Sequence, residues 1–241
     1  MFYLLAIVLS VITVPLLHAQ IAVDDVIIHF TPGKRPVATV NVFNTHPTDT
    51  FNITTKAEQV LYPGTQKEER TKTRSLLISP QKFTLTAGTS RKLRLVLRHI
   101  PKNEEEIYRV SVAPSLPDIR SEEENVNAQT NVRVLTGMGL LILAPPENAT
   151  PKMVWKREGN LLTLENQGDV NILLRRQEFC PAEAAGKCLS LPGKRLYAKN
   201  TWQLKLPEET SSLAATYNIQ YLNQTVPFTF PPQATGVFPT P

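Results

Sequence analysis

The stretch TNVRVLTGMGLLIL, residues 130–143, is the longest strand-like run in the chain, and two prolines follow it after one alanine. Side chains alternate between the two faces of a strand, so one face carries Val132, Val134, Thr136, Met138, Leu140 and Ile142. A buried central strand is apolar on both faces, and this is one interpretation of the run. The other is an edge strand that offers its apolar row to a second polypeptide.

The composition indicates a mainly β protein with more than one domain. The chain has 241 residues, including 20 prolines, and this length fits two domains of about 100 residues each. Short runs rich in Val, Ile, Thr, Leu and Phe alternate with breaks that contain Pro, Gly and Asn, as is typical of strands and turns. The sequence therefore predicts an all-β fold with two compact cores.

The first 19 residues predict export from the cytoplasm. They form an apolar run without an acidic or basic side chain, with Pro15 near its end and Ala19 before Gln20. This pattern is typical of a secretory signal peptide, which is removed from the mature protein. An uncleaved membrane anchor is the alternative. No later run is long and apolar enough to span a membrane, so we expect no stable membrane insertion after cleavage.

Two cysteines, Cys180 and Cys188, lie close together in the second half of the chain. In an oxidising compartment such a pair forms a disulfide by default, with a stabilisation of about 2 to 3 kcal/mol. The histidines are scattered along the sequence, so the cysteines lack the neighbours that a metal site requires. We therefore expect one local disulfide and no metal.

The sequence contains none of the motifs that mark common enzymes and nucleotide-binding proteins. It lacks G-x-S-x-G, H-E-x-x-H, the P-loop and G-x-G-x-x-G, so neither an enzyme nor a cofactor is expected. The net charge is +5, and basic residues cluster within residues 91–98. A nucleic-acid partner is not expected, because the chain is exported and no aromatic residues accompany these cations.

An ordered set of features in residues 78–117 carries a family resemblance. A strand with Leu85 follows Pro80, and an Ala-Gly turn leads into a strand that alternates basic and apolar residues. Pro101 and three consecutive glutamates then precede a strand that contains Tyr108. This order resembles that of the periplasmic pilus-assembly chaperones, the PapD-like family of the chaperone–usher pathway.

The resemblance implies both a fold and a function. The implied fold is two Ig-like β-sandwich domains joined by a proline hinge in a boomerang arrangement. In such chaperones the last strand of the first domain completes the sandwich of a fimbrial (pilus) subunit by donor-strand complementation. The chaperone then delivers the subunit, within the periplasm, to an outer-membrane usher. A secreted Ig-like structural or adhesive pilus component is the alternative.

The resemblance also implies which side chains bind the subunit. Counting back from Pro146 places Val132, Val134 and Thr136 at the donor positions, with Met138 next in the row. The cations that usually hold the subunit's C-terminal carboxylate are absent from the matching strands. In this respect the chain is similar to the branch of the family that serves colonisation-factor-type fimbriae.

Arg109 is the candidate for the missing cation. Tyr-Arg-Val at this place and a short-spaced cysteine pair both occur in that branch. Independently, Tyr108, Val110 and Val112 form the apolar face of their strand, so Arg109 points from the opposite face. An arginine there is suited to hold a carboxylate bidentately, and the alternative is a plain surface arginine.

These patterns divide the chain into five parts. Residues 1–19 are the signal peptide, and residues 20–143 are the first domain with the donor strand. Residues 144–146 form the hinge and residues 147–232 the second domain. Residues 233–241 are predicted to be a flexible tail, because this proline-containing end lacks alternation.

Overall fold

A computed structural model describes residues 20–117, 134–180 and 188–239 of the chain. The first half of this described chain contains strands β1 (Ile21–Val23), β2 (Ile27–His29), β3 (Val37–Asn44), β4 (Phe51–Leu61), β5 (Glu69–Lys72), β6 (Leu76–Ser79), β7 (Lys82–Leu85), β8 (Ser90–Leu97), β9 (Glu106–Ser115) and β10 (Met138–Ala144). Together these strands form the first sandwich.

The first sandwich has two sheets that face each other. One has the strand order β1-β3-β8-β6, and the other has the order β2-β10-β9-β4-β5, with β7 paired to β4. Alternate residues of β8 are buried between the sheets, as the sequence predicts: Leu93, Leu95 and Leu97. They share one core with Tyr108 and Val110 of β9. Burial of this apolar layer is the main term that stabilises the sandwich.

The second half forms a separate sandwich with its own core. Its strands are β11 (Met153–Glu158), β12 (Leu161–Asn166), β13 (Ile172–Leu174), β14 (Gln177–Phe179), β15 (Leu189–Leu191), β16 (Lys194–Leu196), β17 (Thr201–Lys205), β18 (Ala215–Tyr221), β19 (Gln224–Phe230) and β20 (Ala234–Phe238). The sheet orders are β17-β12-β11-β20 and β16-β13-β18-β19. The two cores confirm the predicted all-β fold, and the division at residues 144–146 stays a prediction.

The short β14-β15 hairpin lies beside the second sandwich and ends at the cysteine pair. Cys180 and Cys188 form a disulfide, as predicted. No helix within the described ranges is long and apolar enough to cross a membrane.

Strand β20 corrects the prediction of a flexible tail from residue 233 onward. Its residues pair with β11 from Ala234 to Phe238, and Phe238 is buried in the second core. The alternating pattern does not indicate this strand, because Gly236 occupies a position where an apolar residue would continue the pattern. A Cβ atom on Gly236 would lie 2.8 Å from the indole of Trp155. Glycine is needed there because the Trp155 ring occupies the space of a side chain.

Candidate functional site

Strand β10 has two halves with different surroundings. Leu141, Ile142 and Leu143 lie between β9 on one side and the parallel strand β2 on the other. Met138, Gly139 and Leu140 pair with β9 alone, because β2 extends no further. Since the amide of Leu141 donates to Val26 on the β2 side, alternation directs the backbone groups of Gly139 to the same side, where no strand of the described chain pairs with them. Strand β10 therefore begins as an edge strand and ends as a central one.

Residues 134–137 continue this open edge without regular strand geometry. The carbonyl of Val134 accepts a hydrogen bond from the side chain of Gln20 at 3.0 Å. Gly137 passes so close to β9 that a Cβ atom would lie 2.9 Å from the carbonyl oxygen of Val112. The sequence predicted a strand over residues 130–143. Among the described residues of this range, regular strand pairing begins only at Met138, so the predicted start is wrong for residues 134–137.

Along the predicted donor row, the exposure of the side chains increases from Leu140 toward Val134. Leu140 is fully buried, Met138 is half-buried against the core, and Thr136 is exposed. Val134 is 75% exposed, the highest exposure among the exposed large apolar residues of the described chain. The row is interrupted, because Leu135 from the opposite set also packs against the core. Val132 lies outside the described residues.

Arg109 occupies the face of β9 that the sequence predicts. It lies opposite Leu141 on β10 and Glu58 on β4, while its neighbours Tyr108 and Val110 are fully buried on the other face. The side chain is half-buried, and its Nε atom is buried without a hydrogen-bond partner. The carboxylate of Glu58 forms its ion pair with Lys56, at 2.5 Å. The Nε–H donor of Arg109 is thus left without an acceptor within the described chain.

A small apolar cluster, here called the junction, lies beside Arg109 where the two sandwiches meet. Its buried members come from the first sandwich: Val60, Ile107, Leu141 and Leu143, with Ile27 packed against them. Tyr197 of the second sandwich packs on this cluster. The turn that follows β4 also contacts this ring, since a Cβ atom on Gly64 would lie 2.8 Å from it.

Hydrogen bonds between the sandwiches surround the junction. The carboxylate of Glu105 accepts from the backbone amide of Asn171 at 2.9 Å and from its side chain at 2.7 Å. The amide of Glu105 donates to the carbonyl of Asp169 at 2.7 Å. On the other side of the junction, Asn200 donates to the carbonyl of Pro63 at 2.8 Å. These bonds hold the two sandwiches in one relative orientation.

Charged groups of both signs act on the Tyr197 ring: Arg195, Arg109, Glu68 and Glu105. Arg195 of β16 donates a hydrogen bond to Asn171. Burial lowers the pKa of Arg195. Tyr197 and Glu105 oppose this shift, and the charge of Arg109 adds to it. Burial raises the pKa of Tyr197, although Arg195 and Arg109 oppose that shift. Burial and the charge of Arg195 also lower the pKa of His29. The charges of Arg195 and Arg109 thus both act on Tyr197, and the charge of Arg195 also acts on His29.

Sequence reasoning missed the second-sandwich residues of this region. Arg195, Tyr197 and Asn171 lie in short strands and turns that carry no motif, and they approach the first sandwich only when both sandwiches are in place. The acidic run before Tyr108 was part of the family pattern, but its contact with Asn171 was not predicted. Within the described chain no group of His, Cys, Asp and Glu residues is arranged to hold a metal ion.

Solved structures of fimbrial chaperones share this fold. The class 5 fimbriae chaperone CfaA has a TM-score of 0.60 to this protein at 20% identity, over 88% of this chain and 98% of that chain. The CsuC–CsuE chaperone–tip adhesion subunit complex of Acinetobacter baumannii gives a TM-score of 0.58 at 15% identity, over 88% and 98%. The fold is therefore that of the two-domain, PapD-type chaperones.

The sequence itself assigns the family. Residues 20–148 match the family described as pili and flagellar-assembly chaperone, PapD N-terminal domain, and the chain belongs to this family. A CFA/I fimbrial subunit of Escherichia coli is 24% identical over 173 residues, 68% of each chain. The protein is thus a pilus-assembly chaperone, a non-enzymatic class whose members are periplasmic.

Proposed function

We propose that this chaperone holds fimbrial subunits in the periplasm by donor-strand complementation and delivers them to an outer-membrane usher. The observation that carries the proposal is the open edge of β10 at Gly139, together with the exposure of Val134 and Thr136 in the segment that leads into this strand. An unpaired strand edge binds an extended partner through its backbone, and alternate side chains enter the pockets of that partner. The complementary surface of a subunit is an apolar groove that lacks one strand.

The described part of the donor row fits a groove that becomes shallower toward the chaperone core. Val134 is free to insert deeply, Thr136 is shorter and polar, and Met138 is already half-covered by the first core. Val132 and Arg109 complete the proposed set of subunit-binding residues. The related CsuC is seen in complex with the CsuE tip subunit, and this supports fimbrial subunits as the partner class here.

Arg109 is the proposed anchor for the C-terminal carboxylate of the subunit. The junction beside it has apolar walls, and the Nε–H group of Arg109 has no acceptor within the described residues. A carboxylate that reaches this place gains charge-assisted hydrogen bonds in surroundings that exclude much of the water. The Cys180–Cys188 disulfide supports a periplasmic location, since such bonds persist in oxidising compartments.

Co-expression with a fimbrial subunit of the colonisation-factor class tests the proposal. Recovery of a chaperone–subunit complex from the periplasm is expected for the natural sequence, and Val134→Glu is expected to abolish it. A carboxylate forced into an apolar groove without a partner costs several kcal/mol. In the free chaperone the same change should shift Tm little, because Val134 is 75% exposed.

Two control variants separate binding from folding. Leu77→Glu places the same charge at a residue that is 47% exposed on the other sheet, and it should leave subunit capture unchanged. Leu140→Glu places it in the core, where the residue is 0% exposed, and it should unfold the first sandwich. Two results would contradict the proposed role of the donor row. One is that Val134→Glu captures as much subunit as the natural sequence, and the other is that this variant of the free chaperone is already unfolded in the thermal melt.

A further inference from the structure

Met138 lies where the proposed donor row leaves the first core. Leu140, two residues further along β10, is fully buried, and Thr136, two residues earlier, is exposed. Met138 itself is half-buried and packs against the first core. Strand β9 pairs with it through Val112, whereas β2 pairs only with the end of β10. The Met138 side chain is therefore partly open to solvent in the free chaperone.

The other sulfur atoms of the chain have different surroundings. The chain contains three methionines, of which Met1 belongs to the predicted signal peptide. Met153 is 0% exposed and lies in the second core. The two cysteines are joined in a disulfide, so no free thiol competes for an oxidant. Because oxidation of sulfur depends on access, Met138 is the sulfur of the mature chain that an oxidant in solution reaches first.

We propose that Met138 is a modification site, at which oxidation to methionine sulfoxide by a peroxide switches off subunit capture. This inference rests on the proposed function, in which a subunit covers the donor row. It adds a reversible chemical control of that row. The Cys180–Cys188 disulfide indicates an oxidising compartment, and an exposed thioether in such a compartment meets oxidants while the chaperone is free of a subunit.

The reaction needs only the thioether and a peroxide. The Met138 sulfur attacks one oxygen of hydrogen peroxide, so an S–O bond forms while the O–O bond breaks. The thioether loses two electrons and becomes the sulfoxide. The peroxide gains these electrons, and the proton of the transferred oxygen moves to the departing hydroxide to give water. Methionine sulfoxide reductases reverse the change, with one enzyme for each epimer of the sulfoxide.

The sulfoxide should affect binding more than folding. In the free chaperone the added oxygen can stay hydrated, since the Met138 side chain is partly exposed. In the complex, the apolar groove of the subunit would cover the same side of the row. A polar oxygen that loses water there without gaining a hydrogen bond opposes association. Oxidation also replaces a flexible apolar side chain by a polar one, which disrupts methionine-containing interfaces.

Peroxide treatment of matched variants tests the inference. The full mature chaperone is prepared as the natural sequence, Met138→Leu and Met153→Leu, and each is divided into a sample treated with hydrogen peroxide and an untreated sample. Leucine has a similar volume and is apolar, but it has no sulfur to oxidise. Mass spectrometry locates the added oxygen, thermal melts follow folding, and calorimetric titration with a purified fimbrial subunit gives the affinity.

The decisive quantity is the affinity of each treated sample relative to its own untreated sample, because any effect of the substitution itself cancels. We expect treatment to weaken binding by about tenfold to a hundredfold for the natural sequence and for Met153→Leu. Met138→Leu should keep its untreated affinity. The two reductases should restore binding by the treated natural sequence, and its Tm should match that of the untreated protein.

Three results overturn the inference while leaving the proposed function intact. Treatment could weaken Met138→Leu as much as the natural sequence, it could oxidise Met138 without changing the affinity, or it could lower binding only by unfolding the chaperone. If the untreated natural sequence does not bind the subunit, the proposed function fails and this inference fails with it.

Discussion

Replacing Arg109 by methionine should strengthen the free chaperone and weaken its hold on a subunit. Methionine keeps an unbranched apolar stem against Leu141 but removes the charge and the buried Nε donor, which has no acceptor. An unsatisfied buried donor costs about 1 to 3 kcal/mol, so its removal should raise the free energy of unfolding by about 1 kcal/mol. For a chain of this size, that corresponds to a rise in Tm of roughly 2 to 4 °C.

The effect on binding has the opposite sign and is larger. Loss of one partner from a buried, hydrogen-bonded charge pair costs about 2 to 5 kcal/mol, or roughly 30-fold to 4,000-fold in affinity. Calorimetric melts of the free protein and titrations with a purified subunit measure the two effects separately. Arg94→Met, at an exposed position on β8, is the control that should change neither. A lower Tm for Arg109→Met together with unchanged affinity for the subunit would refute the reasoning and make Arg109 an ordinary structural residue.

Three further predictions concern the junction and the second sandwich. Gly64→Ala should lower Tm by more than Gly88→Ala, since both glycines have positive φ but only at Gly64 would a Cβ atom collide with a neighbouring ring; equal losses would contradict this. Burial raises the pKa of Glu105, so the folded state binds this proton more tightly than the unfolded chain does. Tm should therefore rise as the pH falls from neutral toward the ordinary glutamate range near ~4.3, and Glu105→Gln should remove that part of the rise in melts across pH. Mass spectrometry of non-reduced periplasmic protein should find the two cysteines joined, whereas free thiols would contradict the disulfide.

Alternation along the strands was enough to predict the faces of the first sandwich. Leu93, Leu95 and Leu97 of β8 are buried as expected, and Arg109 lies on the face opposite Tyr108. These predictions are reliable because each strand has one face in a core, and a shift by one residue would expose the whole apolar row. The disulfide was predictable for a different reason, since the chain has two cysteines and they follow a predicted export signal.

The junction and the ends of the elements were not predictable in this way. Arg195 and Tyr197 meet the first sandwich only through contacts between the two cores, and local sequence carries no signal for such contacts. The start of β10 depends on Leu135, which packs against the core although alternation assigns it to the other face. Strand β20 depends on the ring of Trp155, which requires a glycine in the strand. In each case a tertiary contact overrides the local pattern.

The short strand β2 gives β10 a fixed end point for strand addition. The amide of Leu141 already donates to the carbonyl of Val26, so an added strand finds no free backbone groups beyond Leu140 on that edge. An added strand that runs toward the junction must therefore end beside Leu140, level with Arg109, which lies across β10 on the neighbouring strand β9. A slip of one residue would turn every side chain of the added strand to the wrong face, so in the proposed complex β2 would fix both the end and the alignment of that strand. This alignment would depend on the backbone of three chaperone residues, Ile27–His29, and not on the side chains of the added strand.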